Sequence, residues 1–199
     1  MNKAALKKKG LVFVISGPSG SGKTTLLKRL LRQGFLKGGL VKSVSLTTRP
    51  KRPGERQGRD YFFVSEREFL RLLRQKKILE WTKYLGYYYA TPRDFIEGNF
   101  KQGKNILLCL DLRGARKIRR AYPKNSVTIF ITPPSLADLR QRIAKRSRKT
   151  SPEELRQRLR LARGELLAKR RYDYHLLNKD LALATDKLKK IIIKELGLS

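Results

Sequence analysis

The amino-acid sequence predicts an α/β fold, in which helices flank a parallel β-sheet. Short apolar runs alternate along the chain with segments of helical periodicity, which is the pattern of such folds. The run at 11–15, Leu-Val-Phe-Val-Ile, is apolar without interruption, as in a strand that is covered on both faces. A glycine-rich loop joins this run to the first predicted helix. With 199 residues, the chain has the length of one compact domain with small inserts.

The central elements follow in order. The strand at 11–15 precedes a helix predicted over 24–32, whose leucines fall on one face. Two later apolar runs, 106–110 and 127–131, have the same character and are predicted as further strands of the sheet. Four later helices are predicted from their first residues, by a capping box, by an N-cap followed by proline, or by an aspartate cap. These predicted caps are Ser65, Thr91, Ser151 and Asp180.

Two stretches differ from this pattern and are predicted as inserts. Residues 43–90 are rich in Thr, Arg, Tyr and Gly and contain β-prone pieces at 60–64, 79–83 and 87–89, which predicts a small separate sheet. Residues 140–164 are strongly basic and poor in apolar residues near their start, which is typical of a segment that seeks phosphate.

Charge and cysteine content restrict the class of protein. The chain has 48 Lys and Arg against 16 Asp and Glu, a net charge of +32, so it attracts polyanions such as nucleotides, nucleic acid or an acidic membrane surface. Cys109 is the only cysteine, which excludes a disulfide-stapled secreted domain. We find no apolar run of membrane-spanning length and no signal-peptide pattern, so we expect a cytoplasmic protein without a membrane partner.

The first loop carries the clearest chemical signal. Its sequence fits G-x-x-x-x-G-K-[ST], in which backbone N–H groups surround a phosphate, the lysine reaches the outer phosphates and the last hydroxyl holds Mg²⁺. The match follows an apolar strand and opens an apolar helix, whose N-terminus favours anions. The predicted phosphate-binding residues are Gly17, Pro18, Ser19, Gly20, Ser21, Gly22, Lys23, Thr24 and Thr25.

Two further groups of residues are compatible with nucleotide chemistry. Asp111 follows the predicted strand at 106–110, where an acid orients the water shell of a metal ion or, alternatively, caps a helix. Arginines interleaved with proline and glycine form a shaped loop that suits phosphate oxygens, or a basic surface loop. These arginines are Arg49, Arg52, Arg56 and Arg59, and nearby hydroxyls come from Tyr61, Tyr87, Tyr88 and Tyr89, some of which we expect to pack in the small sheet.

The spaced motifs together resemble the guanylate kinase family over nearly the whole chain, from Gly10 to the last helix. The resemblance begins with Val-Ser-Leu-Thr-Thr-Arg at 44–49 and continues through the motifs that follow it in order. These are Arg52, Gly54, Glu55, Gly58 and Tyr61, then Glu80-Trp81, Gly86 to Tyr89, Leu110-Asp111, Pro133-Pro134-Ser135 and the basic segment.

The resemblance implies transfer of the γ-phosphoryl group of ATP to GMP or dGMP, with Mg²⁺, within purine nucleotide metabolism. Glu80 matches the acid that reads the donors of guanine, and Ser45 and Thr91 match the hydroxyl positions that suit O6. The matches to the residues that hold the GMP phosphate are Arg49, Arg52, Tyr61 and Tyr89. Asn178 matches a residue on the adenine side, Thr24 the direct Mg²⁺ ligand, and Asp111 a ligand through water.

The resemblance also implies three functional regions. A P-loop NTPase-type core takes 10–43, 95–137 and 167–199, a GMP-binding insert takes 44–94, and a helical lid takes 138–166. The implied catalytic residues are Lys23, Arg49, Arg146 and Arg158, with Arg148 as a rival to Arg146 because the lid carries about one extra residue. Such arginines neutralise charge on the transferring phosphoryl group.

Three departures from the family pattern keep other readings open. Cys109 stands where an acid is usual, Ala90 where a glycine is usual, and Lys179 within a usually acidic Asn-Asp-Asp motif. The alternatives are a kinase with a relaxed or different acceptor, a basic nucleic-acid-binding protein, and a non-catalytic guanylate-kinase-like module. Weak, non-specific RNA association is expected from the charge. The sequence leaves a monomer and a dimer equally open.

Overall fold

A computed structural model describes residues 10–33, 39–146 and 151–198. Nine strands, seven α-helices and a short 3-10 helix, Ala168–Arg171, occupy this part of the chain. The strands are β1 Val12–Ser16, β2 Leu40–Lys42, β3 Leu46–Thr47, β4 Phe62–Phe63, β5 Ile78–Tyr84, β6 Tyr87–Pro92, β7 Asn105–Cys109, β8 Ser126–Thr132 and β9 Tyr174–Leu177. The helices are α1 Lys23–Arg32, α2 Glu66–Arg74, α3 Arg93–Lys101, α4 Leu112–Ala121, α5 Leu136–Arg146, α6 Pro152–Leu167 and α7 Leu181–Leu196.

The central sheet has five parallel strands in the order β2-β7-β1-β8-β9. Its middle strand, β1, is buried along its whole length, as its uninterrupted apolar sequence predicts. Helices α1 and α7 cover one face of the sheet, and α3 and α4 cover the other. The predicted parallel sheet flanked by helices is therefore confirmed, and each predicted core strand lies within one residue of its predicted bounds.

The insert forms a second, four-stranded sheet in the order β4-β3-β6-β5. Helix α2 packs on it through Phe69, whose ring stacks on Tyr88 at 4.7 Å and meets Trp81 edge-on at 6.4 Å. The sheet that the β-prone pieces predict is present, with β3 as an additional strand. Tyr88 belongs to its core, as expected for some of the tyrosines.

Helices α5 and α6 pack against each other through a small apolar cluster. Leu139 and Ile143 of α5 contact Ala162 of α6, and Leu155 and Leu159 pack around them. This pair occupies most of the region for which the sequence predicts a basic insert. The short connection between them, residues 147–150, lies outside the described part of the chain.

Three of the four predicted helix caps are confirmed. The side chains of Ser65, Ser151 and Asp180 each accept a hydrogen bond from the backbone N–H three residues later. The prediction for Thr91 is wrong, because Thr91 lies within β6 and α3 begins only at Arg93. The hydroxyl of Thr91 is engaged by a buried carboxylate instead of by the helix, a tertiary contact that local sequence does not reveal.

Among the residues that the structure describes, we find no helix long and apolar enough to cross a membrane.

Candidate nucleotide-binding cleft

A cleft of about 1410 Å³ separates the central sheet, the small sheet and the α5–α6 pair. The loop after β1, the strands β5 and β6 of the small sheet, and helix α6 all contribute residues to its lining. It collects residues from all three regions that the sequence predicts. Among the predicted site residues, those lining it are Gly17, Ser19, Gly20, Gly22, Lys23, Thr24, Thr25, Ser45, Arg49, Arg52, Tyr61, Glu80, Tyr89, Asp111, Arg158 and Asn178.

The glycines of the first loop are required by its backbone. Gly17 has φ 136° and Gly22 has φ 93°, values at which any other residue is strained. A Cβ atom at Gly17 would lie 2.3 Å from the carbonyl oxygen of Ile131, and one at Gly22 would lie 2.2 Å from Nδ2 of Asn178. The chain therefore folds this loop tightly against β8 and against the residue that follows β9.

Lys23 is held over the same loop. Its ammonium donates to the carbonyl oxygens of Gly17 at 2.6 Å and Pro18 at 2.9 Å. It is also the first residue of α1, so the charge adds to the positive end of the helix. Thr24 and Thr25 line the cleft beside it. A loop with this curvature, a cation and a helix N-terminus is suited to bind phosphate.

Asn178 supports the loop from below. Its Nδ2 donates to the carbonyl oxygen of Ser21 at 2.8 Å, and its side chain is almost completely buried. Arg142 of α5 donates to the Asn178 carbonyl oxygen at 3.2 Å. Sequence reasoning missed Arg142, because nothing in its local pattern distinguishes it from the other arginines of the basic segment.

Arg49 lies at the other end of the cleft and is buried, with 7% of its surface exposed. Its guanidinium donates to both carboxylate oxygens of Glu55 at 2.9 Å and packs near the rings of Tyr61 and Phe63 at 5.5 and 5.7 Å. Burial lowers the pKa of Arg49, but the hydrogen bonds that it donates to Glu55 and the charge interactions with Glu55, Tyr89 and Tyr61 together outweigh burial, so the pKa of Arg49 is raised. The N–H groups of a guanidinium can pair with two oxygens of a carboxylate or of a phosphate. Arg49 is therefore suited to bind a phosphate group.

Glu55 and two tyrosines complete this end. The same carboxylate accepts the backbone N–H of Arg52 at 2.9 Å, so Glu55 holds both predicted arginines in one loop. The rings of Tyr61 and Tyr89 meet edge-on with centroids 6.1 Å apart, and both line the cleft. Glu55 matches the family pattern, but the sequence does not predict its contact with Arg49.

Glu80, on β5, has a buried carboxyl group of which one oxygen accepts a hydrogen bond. Thr91 donates its hydroxyl to Oε1 at 2.7 Å, and only 4% of the residue is exposed. Oε2 has no hydrogen-bond partner among the described residues. Burial raises the pKa of Glu80 to about 7, with a further increase from Asp111, while the Thr91 hydrogen bond opposes the change. An unpaired buried carboxyl oxygen is costly and favours a ligand that donates hydrogen bonds.

Asp111 caps α4, with Oδ1 accepting the backbone N–H of Gly114 at 2.8 Å. This confirms the capping alternative for Asp111. Capping uses only one of its two carboxylate oxygens, so the residue retains acceptor capacity toward the cleft that it lines. Cys109 lies at the end of β7 and also lines the cleft.

Helix α6 brings one predicted arginine to the phosphate loop. Arg158 forms an ion pair with Glu154 at 2.6 Å, and its Nη1 donates to the hydroxyl of Ser19 at 3.3 Å. The side chain of Arg146 and the whole of Arg148 lie outside the described part of the chain.

Glu165 is a further acid of the cleft, and sequence reasoning missed it. Burial raises its pKa to about 7, an effect increased by Asp111 and opposed by Lys23. Its Oε2 has no hydrogen-bond partner among the residues described here. Within those residues there is also no cluster of three or more His, Cys, Asp or Glu side chains that would hold a metal ion alone.

Comparisons with known proteins show what the chain is similar to. The family model described as Guanylate kinase matches residues 9–195. The chain is 42% identical over 191 residues to guanylate kinase from Caldanaerobacter subterraneus subsp. tengcongensis, covering 96% of this chain and 90% of that protein. It is 42% identical over 187 residues to guanylate kinase from Thermotoga maritima, covering 94% and 88%. The crystal structure of guanylate kinase from Anaplasma phagocytophilum superposes with a TM-score of 0.77 at 35% identity, covering 94% and 86%.

Proposed function

The chain belongs to the guanylate kinase family, and we propose that this cleft is where it transfers the γ-phosphoryl group of ATP to GMP, with the residues in the roles given below. The activity of the enzyme is ATP:GMP phosphotransfer, which yields ADP and GDP. The observation that carries the assignment of roles is the cleft itself, because a phosphate loop and a buried, half-satisfied glutamate line one cavity.

Glu80 reads the guanine base in this proposal. Guanine presents N1–H and the 2-amino group as adjacent donors, and a carboxylate accepts both. Thr91 already fixes the orientation of the carboxyl, and Ser45 supplies a hydroxyl within the same cleft for the O6 acceptor. Adenine has an acceptor at N1 and no 2-amino group, so it would leave the buried Glu80 unpaired. This supports GMP over AMP although Cys109 provides no second acid.

The phosphate of GMP binds at the other end of the cleft. We assign it to Arg49, Arg52, Tyr61 and Tyr89, as the resemblance implies. Support comes from the Arg49–Glu55 ion pair, because a guanidinium that pairs with a carboxylate has the geometry to pair with phosphate oxygens as well. In this assignment Glu55 keeps the arginine loop ordered before the substrate arrives.

ATP binds on the phosphate loop, with its outer phosphates at Lys23. Lys23 must then exchange at least one of its bonds to Gly17 and Pro18 for a phosphate oxygen. Asn178, assigned to the adenine side, keeps the loop in shape through Ser21. The residues present fit Mg²⁺, because a hydroxyl at Thr24 and a carboxylate at Asp111 line one cavity with that loop. When bound, the ion would neutralise charge on the phosphates.

Arginines of the lid complete the phosphoryl-transfer site. The contact of Arg158 with Ser19 of the phosphate loop supports the proposal that Arg158 neutralises charge on the transferring group. The second arginine is Arg146, with Arg148 as its rival. In this division 138–166 acts as the lid, 44–94 as the GMP-binding region, and 10–43, 95–137 and 167–199 as the core. Closure of the lid would exclude water from the reaction.

The test is a coupled assay of ADP formation with ATP and Mg²⁺. GMP, dGMP, AMP, UMP and CMP are compared as acceptors at fixed salt, for the wild type and for Lys23→Ala. We expect strong preference for the guanine nucleotides, and a loss of kcat by orders of magnitude in a folded Lys23→Ala variant. Equal use of all acceptors would refute guanine reading, and undiminished turnover by the variant would refute the role of Lys23.

The net charge of +32 supports a side property as well as the activity. We propose weak, non-specific association with RNA, within a cytoplasmic setting where the nucleotide substrates are found. Binding of this kind weakens steeply as salt rises, because it depends on counterion release. Tight, sequence-selective binding at physiological salt would contradict this proposal.

A further inference from the structure

Gly114 lies where the start of α4 meets the carboxyl group of Glu80. It is a buried residue of the first turn of the helix, and its N–H is engaged by Asp111. A Cβ atom added to Gly114 would lie 2.8 Å from Oε2 of Glu80, closer than real Cβ atoms approach other heavy atoms, and 3.3 Å from Cβ of Leu110. The absence of a side chain at Gly114 therefore creates the space that Oε2 occupies.

The backbone at Gly114 does not by itself demand glycine. Gly114 is not among the residues with positive φ, and an alanine there would be compatible with a helix. Glycine is less favourable than alanine in a helix because it loses more conformational freedom on folding. The feature that calls for glycine is thus the contact with Glu80.

The displaced oxygen would matter for base recognition. Oε1 is fixed by Thr91 at 2.7 Å, so the carboxyl cannot move as a whole without losing that bond. If Oε2 were pushed away, the carboxyl would rotate about the Thr91 contact. Its two oxygens would then no longer align with two adjacent donors on one edge of a base.

We propose that Gly114 is a specificity-determining residue, which admits Glu80 against the start of α4 and so aligns its carboxylate with guanine. This inference rests on the proposed role of Glu80. Gly114 touches no substrate itself and acts through the position of the Glu80 carboxylate.

The test compares Gly114→Ala with Gly98→Ala. Gly98 is a suitable control because it also lies within a helix, α3, and a Cβ there would meet no heavy atom within 4 Å. For Gly114→Ala we expect the KM for GMP to rise about 10-fold to 100-fold, the cost of disturbing a hydrogen bond to a charged group. The KM for ATP and the melting temperature should stay near wild type. Gly98→Ala should leave both KM values unchanged.

A wild-type KM for GMP in a folded Gly114→Ala variant would overturn the inference. If Gly114→Ala does not fold, the double variant Glu80→Ala, Gly114→Ala provides the test. Truncation of Glu80 to alanine removes the atoms with which the new Cβ would clash. Recovery of the fold in the double variant supports the inference, and a double variant that stays unfolded overturns it. The variant Glu80→Gln tests separately whether Glu80 recognises guanine. If Glu80 does not have that role, Glu80→Gln should bind GMP as well as the wild type does.

Discussion

The buried Glu80 carboxyl should make the ligand-free enzyme less stable as the pH rises, and Glu80→Gln should remove that loss. Glutamine keeps the size of the side chain and an oxygen that accepts from Thr91. It removes the titration of a group whose pKa is raised to about 7 by burial and by Asp111. The folded state holds a proton on Glu80 at pH values where the unfolded chain has already released it.

The sign and size follow from this difference. For a carboxyl with a raised pKa, the contribution to stability is most favourable in acid and is lost as the pH rises through the folded pKa. Between pH 5.5 and pH 8 the free energy of unfolding of the wild type should fall by about 2 kcal/mol through Glu80 alone. Glu165 has a similar pKa and contributes equally to both proteins, so its effect cancels in the comparison.

The assay is urea denaturation of wild type and variant at pH 5.5 and pH 8, in the absence of nucleotide. Glu80→Gln should gain about 2 kcal/mol on the wild type between the two pH values. An exposed glutamate at the start of α2 provides the control, because Glu66→Gln should follow the wild type at both pH values. Parallel pH dependence of Glu80→Gln and wild type would refute the reasoning, since the carboxyl would then ionise in the folded state as it does in the unfolded chain.

Three further predictions concern other parts of the cleft. Arg49→Lys should raise the KM for GMP about 10-fold or more, because an ammonium cannot form the bidentate contact of a guanidinium with phosphate. Steady-state kinetics measure this KM, with the exposed Arg67→Lys as the control, and a KM equal to that of the wild type would contradict the prediction. Asn178→Ala should lose the hydrogen bond to Ser21 and about 1–3 kcal/mol of stability, with weaker ATP binding; calorimetry of ADP binding and thermal unfolding measure both, and an unchanged affinity would argue against loop support. Arg158→Ala should lower kcat about 10³-fold with little change in the KM for GMP; a variant that loses affinity for GMP while keeping kcat would assign Arg158 to acceptor binding.

Much of the fold follows from local patterns in the sequence. The run at 11–15 is apolar at every position, and it is the fully buried centre of the sheet. Ser65, Ser151 and Asp180 cap their helices because the capping bond is made within four residues. Thr91 departs from its predicted cap because its best partner, Glu80, is remote in sequence and buried.

Local sequence patterns predict only part of the cleft. The phosphate loop is contiguous and has fixed spacing, so its glycines and Lys23 are found from the sequence alone. Gly114 approaches Glu80 of a separate element, and Glu55 pairs with Arg49 across a folded loop. The burial of Glu165 depends on tertiary packing, and no local pattern distinguishes a glutamate that is buried from one that is exposed.

The most direct measurement of the central claim compares GMP with IMP, which lacks the 2-amino group, as acceptors for the wild type and for Glu80→Gln. If Glu80 reads the guanine donors, the wild type should prefer GMP in kcat/KM by about 10-fold to 100-fold, the value of a hydrogen bond to a charged group. The preference should largely disappear in Glu80→Gln, while the KM for ATP stays near that of the wild type. Equal kcat/KM values for GMP and IMP in the wild type, or an undiminished preference in the variant, would contradict the account.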